Sequence, residues 1–208
     1  MMRVLLISGS TREGSLHTAA LRTAARFAPE EITASLYDGL RGLPAFVPGE
    51  HTPDAVTFLR HRVNAASALL FSTPEYAGSL PGSLKNLLDW LADGGELDGK
   101  PVAWLSVSAP GRDEGAYATL DTVLTHGGAQ VLRPACIRVP LSLGSVDAQG
   151  LVTDPQLHMA LLDMLQVLTR SLAVQQPRPQ PSWQAYSSVY PVVQRSNPLT
   201  ARHRRAQA

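Results

Sequence analysis

Residues 3–15 read Arg-Val-Leu-Leu-Ile-Ser-Gly-Ser-Thr-Arg-Glu-Gly-Ser, an unbroken apolar run that leads directly into a short turn rich in glycine and hydroxyl groups. An apolar run without alternation is typical of a strand that is buried on both faces of a sheet. In the next segment, 15–27, apolar residues recur at the spacing of an amphipathic helix. The start of the chain therefore predicts a buried strand, a tight loop and a helix.

The rest of the chain repeats this alternation of short apolar runs and longer helical patterns. Strands are predicted at 32–37, 68–72, 102–107 and from 130 onward, and helices at 54–64, 81–93, 114–126 and 154–172. Five strands and five helices in alternation predict a doubly wound parallel sheet of order 2-1-3-4-5, with helices on both faces. Such sheets bind ligands at the carboxyl ends of their strands, so the loops after strands one, three and four are the candidate site.

The length of 208 residues suits one domain with a short appendage. The alternating pattern fills residues 1–172, and the composition then changes to a run rich in proline and glutamine at 175–181. This change predicts that the tail, 173–208, is disordered. The aromatic residues Trp183, Tyr186 and Tyr190 leave open a second interpretation, in which the tail packs on a neighbouring subunit.

The composition excludes several classes of partner. A formal net charge of +1 gives no electrostatic reason to expect nucleic acid or an anionic membrane as partner. No segment reaches the roughly 18 apolar residues of a membrane-spanning helix, and the start of the chain does not resemble a secretion signal. We therefore expect a cytoplasmic protein.

The residues that commonly bind metals predict no metal site. The single cysteine, Cys136, cannot form an intramolecular disulfide or a cysteine cluster. Its surroundings indicate the end of a buried strand and an unreactive thiol. The six histidines show no ligand spacing, and most of them are expected at the surface. Asp38, at the end of the second strand, is interpreted as a strand terminus rather than as a ribose ligand.

The first loop, 9–15, has the chemistry of a phosphate site. A helix N-terminus offers free N–H groups and the positive end of a dipole. Ser10 and Ser15 add hydroxyl donors, and Arg12 adds a guanidinium group that suits phosphate oxygens. The loop lacks the lysine of an NTPase loop and the central glycine of a dinucleotide fingerprint, so a monophosphate fits best. The alternative is that Ser15 only caps the helix and Arg12 is solvated.

The second loop lies at the start of a segment, 73–90, that reads Thr-Pro-Glu-Tyr-Ala-Gly-Ser-Leu-Pro-Gly-Ser-Leu-Lys-Asn-Leu-Leu-Asp-Trp. Prolines and glycines around an aromatic residue predict a stiff loop whose backbone amides could face the edge of a planar ring. The alternative is a rigid connection in which Tyr76 is only a surface aromatic.

With these two loops the chain resembles the NADPH-dependent FMN reductase family, which includes flavodoxin-like quinone, azo-dye and chromate reductases. The family motif Gly-Ser-x-Arg-x-x-Ser is matched at 9–15, and Pro-Glu-Tyr-Asn-x-Ser-x-Pro-Gly-x-Leu-Lys-Asn-x-x-Asp-Trp is matched at all but one of its specified positions within 74–90. Residues 43–46 match the family's Leu-Pro-x-Phe loop. The likeness covers residues 2–172.

The resemblance implies a flavodoxin-like oxidoreductase that takes electrons from NADPH or NADH and passes them by a ping-pong mechanism to quinones or similar small acceptors. Because the flavin carries this chemistry, no catalytic side chain is predicted. The resemblance also implies a homodimer or homotetramer, formed through the helix that carries Trp90, although Trp90 could equally be a core aromatic. Twelve residues are expected to hold FMN: Ser10, Arg12, Ser15, Leu16, His17, Pro74, Glu75, Tyr76, Ala77, Gly78, Ser106 and Ser108.

Three departures from the family pattern concern the flavin site. His17 and Ala77 each stand where the family usually has asparagine, and the residues at 112–115, Arg-Asp-Glu-Gly, replace Gly-Gly-x-Arg. His17 could contact the cofactor or lie on the helix surface. Arg112 could contact the cofactor's phosphates, or could pair with Asp113 or Glu114 in solvent. Two other functions therefore stay open, an FMN-binding electron carrier and a non-catalytic flavodoxin-like interaction protein, although carriers of this type are usually acidic.

Overall fold

The computed structural model describes residues 1–175, and its compact unit spans Met1–Ala173. The predicted tail lies outside the described residues from 176 onward. The strands are β1 (Met2–Ser8), β2 (Ile32–Tyr37), β3 (Ala68–Ser72), β4 (Pro101–Ser106), β5 (Gln130–Val131) and β6 (Ile137–Arg138). The helices are α1 (Leu16–Arg26), α2 (Asp54–Ala65), α3 (Gly82–Gly94), α4 (Glu114–His126) and α5 (Pro155–Gln175), with 3₁₀ turns at Gly39–Gly42, Arg133–Ala135 and Leu143–Ser145.

The sheet has the predicted order β2-β1-β3-β4-β5, and all its strands are parallel. β1 lies inside the sheet between β2 and β3, where Val4 is opposite Ala34 of β2 and Ala68 of β3. Successive side chains of β1 pack into two hydrophobic cores, one on each face of the sheet. Because both faces are buried, the strand is apolar throughout and does not alternate with polar residues. One core lies between the sheet and helices α1 and α5, and the other lies under α2, α3 and α4.

The prediction of one continuous fifth strand is wrong. β5 is only two residues long, a turn at Arg133–Ala135 follows, and β6 then pairs with β4 through Leu105 and Ser106. Pro134 has no N–H to donate to a sheet, and the chain leaves the sheet at this proline. Cys136 therefore precedes a strand instead of ending one. It is half-buried, and burial raises its pKa to about 11, so the thiol stays protonated.

No helix within residues 1–175 is long and apolar enough to cross a membrane. In the same part of the chain, no group of three or more histidine, cysteine, aspartate or glutamate residues could hold a metal ion.

A buried threonine joins α1 to the chain segment before α5. The hydroxyl of Thr23 donates to the carbonyl of Ala19, one turn earlier in the helix, at 2.9 Å. The same oxygen accepts a 2.8 Å hydrogen bond from the amide of Val152, which lies 129 residues away. Thr23 is fully buried, so no solvent can replace it as a partner of that amide.

We expect Thr23→Val to lower the free energy of unfolding by about 2 kcal/mol, because the amide of Val152 would be left buried without an acceptor. Denaturant unfolding of the purified protein measures the change. Thr122→Val is the matched control: Thr122 makes the same kind of bond, to Ala118, on an exposed face of α4. It should change stability by less than about 0.5 kcal/mol. Equal losses in both variants would contradict the role of the long-range bond.

Candidate active site

The first and second loops meet at the carboxyl ends of β1 and β3. The amide of Gly9, the first residue after β1, donates to the carbonyl of Ser72, the last residue of β3, at 2.8 Å. A Cβ at Gly9 would lie 2.2 Å from the hydroxyl of Thr73 and 2.8 Å from a methyl carbon of Leu84. Only glycine allows this approach, so residue 9 brings the two loops within reach of one ligand.

The first loop presents uncommitted donors at the N-terminus of α1. Ser15 is the N-cap residue and is buried, yet its hydroxyl makes no capping hydrogen bond. The Ser10 hydroxyl accepts from the amide of Arg12 at 3.3 Å, which turns the loop back on itself. A helix N-terminus with such hydroxyl groups suits an anion. The alternative interpretation of Ser15, as a capping residue alone, lacks the hydrogen bond that it requires.

A cavity of about 160 Å³ lies between the two loops. Seven residues line it: Ser10, Arg12, Ser15, Leu16, His17, Pro74 and Tyr76. All seven belong to the twelve residues predicted to hold the cofactor. The other five, Glu75, Ala77, Gly78, Ser106 and Ser108, do not line this cavity.

His17 is a buried, neutral residue at the floor of the site. Its side chain is not on the helix surface, so that alternative is wrong: the residue is 7% exposed, and its Nδ1 lies 3.0 Å from the Ser72 hydroxyl. The pKa of His17 is lowered to about 4, mainly because the ring is buried. The nearby charge of Asp113 raises it by a smaller amount, and the charge of Arg12 lowers it. The ring is therefore uncharged at neutral pH and can offer a hydrogen bond but no charge.

The second loop contains a two-residue hairpin turn. Tyr76 and Ser79 exchange two backbone hydrogen bonds of 3.0 Å, and the residues between them, Ala77 and Gly78, have φ values of +50° and +73°. Positive φ at both central positions defines a type I′ turn, for which Asn-Gly is the preferred pair. This turn explains why asparagine suits position 77 of the family motif, and it leaves Ala77 in a strained conformation.

Helix α4 holds the second loop from the other side. The Glu75 carboxylate accepts a 3.0 Å hydrogen bond from the amide of Ala116, in the first turn of α4. The Ser79 hydroxyl lies 3.2 Å from that of Thr119. A Cβ at Gly115 would lie 2.2 Å from the carbonyl oxygen of Gly78, so the glycine is what allows the contact. The side chain of Glu75 is thus engaged in fixing the loop.

The loop after β4 is anchored by an ion pair between a buried aspartate and a partly exposed arginine, which the sequence did not reveal. Asp113 is 0% exposed; it accepts a short hydrogen bond from the Ser106 hydroxyl and pairs with Arg138. The Arg138 guanidinium carbon lies 5.5 Å from the ring centre of Trp104 and 5.4 Å from that of Tyr117. Arg112 is exposed, and the alternative in which it pairs with Asp113 is wrong.

The contacts of Asp113 determine the positions of Ser106 and Ser108, two of the residues expected to hold FMN. Ser106 is fully buried, with its hydroxyl directed at Asp113, and Ser108 is half-buried at the start of the loop. Tyr117 also connects α4 to β4, because its hydroxyl donates to the carbonyl of Leu105 at 2.7 Å. Burial raises the pKa of Tyr117, so this hydroxyl keeps its proton.

The comparisons with known proteins agree with this architecture. The sequence profile of the NADPH-dependent FMN reductases matches residues 2–144, which is more than half of the chain. The chain belongs to the NADPH-dependent FMN reductase family. It is thus an oxidoreductase with FMN as its cofactor and with a reduced nicotinamide nucleotide as co-substrate.

Individual relatives of this FMN reductase span most of the compact unit. An NAD(P)H-dependent FMN reductase of Pseudomonas aeruginosa is 36% identical over 174 residues, which are 80% of this chain and 93% of that protein. A quinone reductase of Escherichia coli is 32% identical over 107 residues, or 49% of this chain and 57% of that protein. The solved structure of the flavoenzyme NAD(P)H:(acceptor) oxidoreductase of Paracoccus denitrificans superimposes with a TM-score of 0.68 at 25% identity, covering 82% and 98% of the two chains. The flavodoxin-like fold is confirmed.

Other motif residues of this FMN reductase shape the loop at 43–46. Trp90 donates from its ring nitrogen to the carbonyl of Pro44 at 3.0 Å and packs edge-on against Phe46, with 4.9 Å between ring centres. Asn86 donates to the same carbonyl and accepts from the amide of Phe46. Trp90 is therefore a core aromatic of its own chain. The homodimer or homotetramer stays a prediction.

The burial of His17 predicts acid sensitivity. Because the pKa is about 4 in the folded protein and 6.5 in the unfolded chain, the unfolded state binds more protons between these values. Stability should thus fall as the pH is lowered through this window. Between pH 7 and pH 4, the natural protein should lose about 3 kcal/mol more of its free energy of unfolding than the His17→Asn variant loses. Urea unfolding across this range tests it, with the exposed His61→Asn as control; an unchanged pH dependence in His17→Asn would contradict it.

The strain at Ala77 predicts a stabilising substitution. We expect Ala77→Gly to raise the free energy of unfolding by roughly 0.5–1 kcal/mol, because the relief of left-handed strain exceeds the entropy added to the unfolded chain. The same change at Ala118, an exposed position within α4, should lower stability by about 0.5–1 kcal/mol. Thermal and denaturant unfolding measure both. A loss of stability in Ala77→Gly would show that residue 77 does not require positive φ in solution.

Proposed function

We propose that this protein is an NAD(P)H-dependent reductase that holds FMN between its first and second loops and reduces quinones or similar small acceptors by a ping-pong mechanism. One observation carries the proposal: the first loop, the start of α1 and the second loop together contribute seven of the residues expected to hold FMN to one cavity, at the sheet edge where doubly wound proteins bind ligands. The name of the quinone reductase relative supports this class of acceptor.

The donors present fit the phosphate of FMN. Ser10 and Ser15 would hold its oxygens through their hydroxyl groups, and Arg12 would supply the opposing charge. The Ser15 hydroxyl is buried without a capping bond, so a ligand oxygen would give it a partner. The N-terminus of α1 adds backbone donors and a favourable dipole.

The second loop fits the flat ring of the flavin. Pro74 and the half-exposed Tyr76 present apolar surface beside the cavity. The amide groups of Ala77 and Gly78 donate no backbone hydrogen bond within the described residues, so they are available to the polar edge of the ring. Such donors stabilise negative charge that develops on a ligand. Glu75 and Gly115 keep this turn in place against α4.

When bound, FMN would supply the redox chemistry that connects hydride donation by the nicotinamide nucleotide to two-electron reduction of the acceptor. The protein's own groups bind and orient. His17 is neutral and holds the Ser72 hydroxyl at the floor of the cavity. The buried Tyr117 keeps its proton, because burial raises its pKa, and donates it to the carbonyl of Leu105. No side chain need exchange a proton with the flavin for the site to work.

The test uses the purified full-length chain. FMN is added, excess is removed, and the visible spectrum is recorded before and after NADPH is added without oxygen. We expect retained flavin that bleaches, and initial rates against NADPH and a quinone that give parallel double-reciprocal lines. Loss of all flavin on desalting would overturn the proposal in favour of the interaction protein. Retained flavin that NADPH does not bleach would point to the electron carrier, and converging lines would exclude the ping-pong order.

A matched pair of arginine variants locates the phosphate. Arg12→Gln should weaken FMN binding by about tenfold or more, because a charge-assisted hydrogen bond to phosphate contributes about 1.5–3 kcal/mol. Arg26→Gln, at the exposed end of the same helix, should leave the affinity unchanged. Flavin fluorescence quenching measures both. Equal affinity in the two variants would remove Arg12 from the proposed site.

A further inference from the structure

The ion pair between Asp113 and Arg138 joins a charge without solvent contact to a partly exposed charge. Asp113 is 0% exposed, whereas the side chain of Arg138 is 41% exposed. One carboxylate oxygen of Asp113 accepts from the Ser106 hydroxyl, and the other accepts from the guanidinium group of Arg138. An ionised carboxylate is unfavourable in a protein interior unless it is paired. Arg138 therefore compensates a charge that solvent does not reach.

The start of α4, to which Asp113 belongs, is in contact with the second loop. Asp113 is the N-cap residue of this helix. Two residues later, Gly115 lies so close to the carbonyl of Gly78 that a Cβ would come within 2.2 Å of it, and the amide of Ala116 donates to Glu75. The buried carboxylate is thus within one helical turn of the residues that hold the proposed ring-binding turn.

The charge of Asp113 acts on a residue that lines the cavity of the proposed flavin site. That residue is His17. Burial of the His17 ring lowers its pKa, and the charge of Asp113 acts in the opposite direction and raises it. A negative charge favours the positive form of a neighbouring group and disfavours a negative form. Because reduced FMN gathers negative charge on its ring, the same carboxylate would disfavour the reduced cofactor.

Arg138 is held in a fixed position beside this charge. Its guanidinium carbon lies 5.5 Å from the ring centre of Trp104 and 5.4 Å from that of Tyr117, within the range of a cation–π contact. Its strand, β6, pairs with β4 through Leu105 and Ser106. Two aromatic rings and a strand pairing thus keep the positive charge next to the buried carboxylate.

We propose that Asp113 and Arg138 together set the reduction potential of bound FMN, and that Arg138 cancels most of a buried charge that would otherwise disfavour the reduced cofactor. The inference rests on the proposed function for the position of FMN between the first and second loops. The pair need not touch the cofactor, because a charge in a protein interior acts well beyond contact distance. Loss of either partner should therefore shift the potential, and the two shifts should have opposite signs.

Reductive titration of the FMN-loaded full-length protein tests the two signs. Dithionite supplies the electrons, and a mildly alkaline pH keeps Asp113 ionised after its partner is removed. Arg138→Gln should weaken the binding of reduced FMN relative to oxidised FMN by about tenfold, which lowers the two-electron midpoint potential by about 30 mV. Asp113→Asn should raise the potential by a smaller amount, because solvent screens the partly exposed Arg138. The double variant should return close to the natural potential.

Two further variants separate charge from structure. Arg133→Gln is the matched control, because it removes an arginine from the more exposed pair with Asp121, where solvent screens the charge. It should leave the potential unchanged. Arg138→Lys keeps the charge and should keep most of the natural potential. Shifts of the same sign in Arg138→Gln and Asp113→Asn, or an equal shift in Arg133→Gln, would overturn the proposal.

A measurement on the protein without cofactor tests whether the charge of the pair reaches the cavity. In an NMR titration of the His17 ring, Arg138→Gln should raise the pKa of His17 above its natural value of about 4, and Asp113→Asn should lower it. An unchanged pKa in both variants would overturn the proposal. If NADPH fails to reduce bound FMN, the proposed function fails separately, because neither the dithionite titration nor the NMR titration uses NADPH.

Discussion

The close contact between Gly9 and Thr73 is the constraint on which the site depends. Neighbouring parallel strands end at the same edge of a sheet, but their loops meet only where side chains leave room. The two loops are so close at residue 9 that no side chain fits there, since a Cβ would overlap the Thr73 hydroxyl and crowd Leu84. The contact sets the first loop directly against the second. It also places the N-terminus of α1 beside the second loop, and the seven cavity residues follow from this arrangement.

Among the helices that begin at this edge, α1 and α4 have N-termini with different partners. At α4, the first-turn amide of Ala116 donates to the Glu75 carboxylate. The preceding residue of that helix start, Asp113, contacts Ser106 and Arg138. That positive end is thus already satisfied by the protein's own acidic groups. At α1, the capping residue Ser15 leaves its hydroxyl uncommitted, and the first turn contains no acidic residue. An anionic ligand is therefore favoured at α1 and has no comparable place at α4.

Features of the fold and the site could be predicted from the sequence where neighbouring residues determine them, and could not where distant contacts do. The sheet order followed from the alternation of short apolar strands with helical segments, and the cavity residues followed from the resemblance of residues 9–17 and 74–78 to a family. The division of the fifth strand could not be predicted, because strands of two residues show no periodicity and their pairing is decided by β4. From the sequence, Asp113 was a possible partner of Arg112 in solvent. Its burial depends on Arg138, 25 residues later, and on the rings of Trp104 and Tyr117.

The departures from the family pattern change side chains at the site but leave its backbone donors in place. Position 77 lacks the amide side chain of the family's asparagine, yet the backbone amides of 77 and 78 donate no backbone hydrogen bond within the described residues and stay available to a ligand. His17 replaces one neutral polar group with another, because burial keeps its ring uncharged, and its partner Ser72 is itself buried. The charged residues at 112–114 do not fill the cavity, since Asp113 turns into the core and Arg112 into solvent. The proposed site is compatible with these changes, because the helix N-terminus, the turn and the arginine that it would use are all retained.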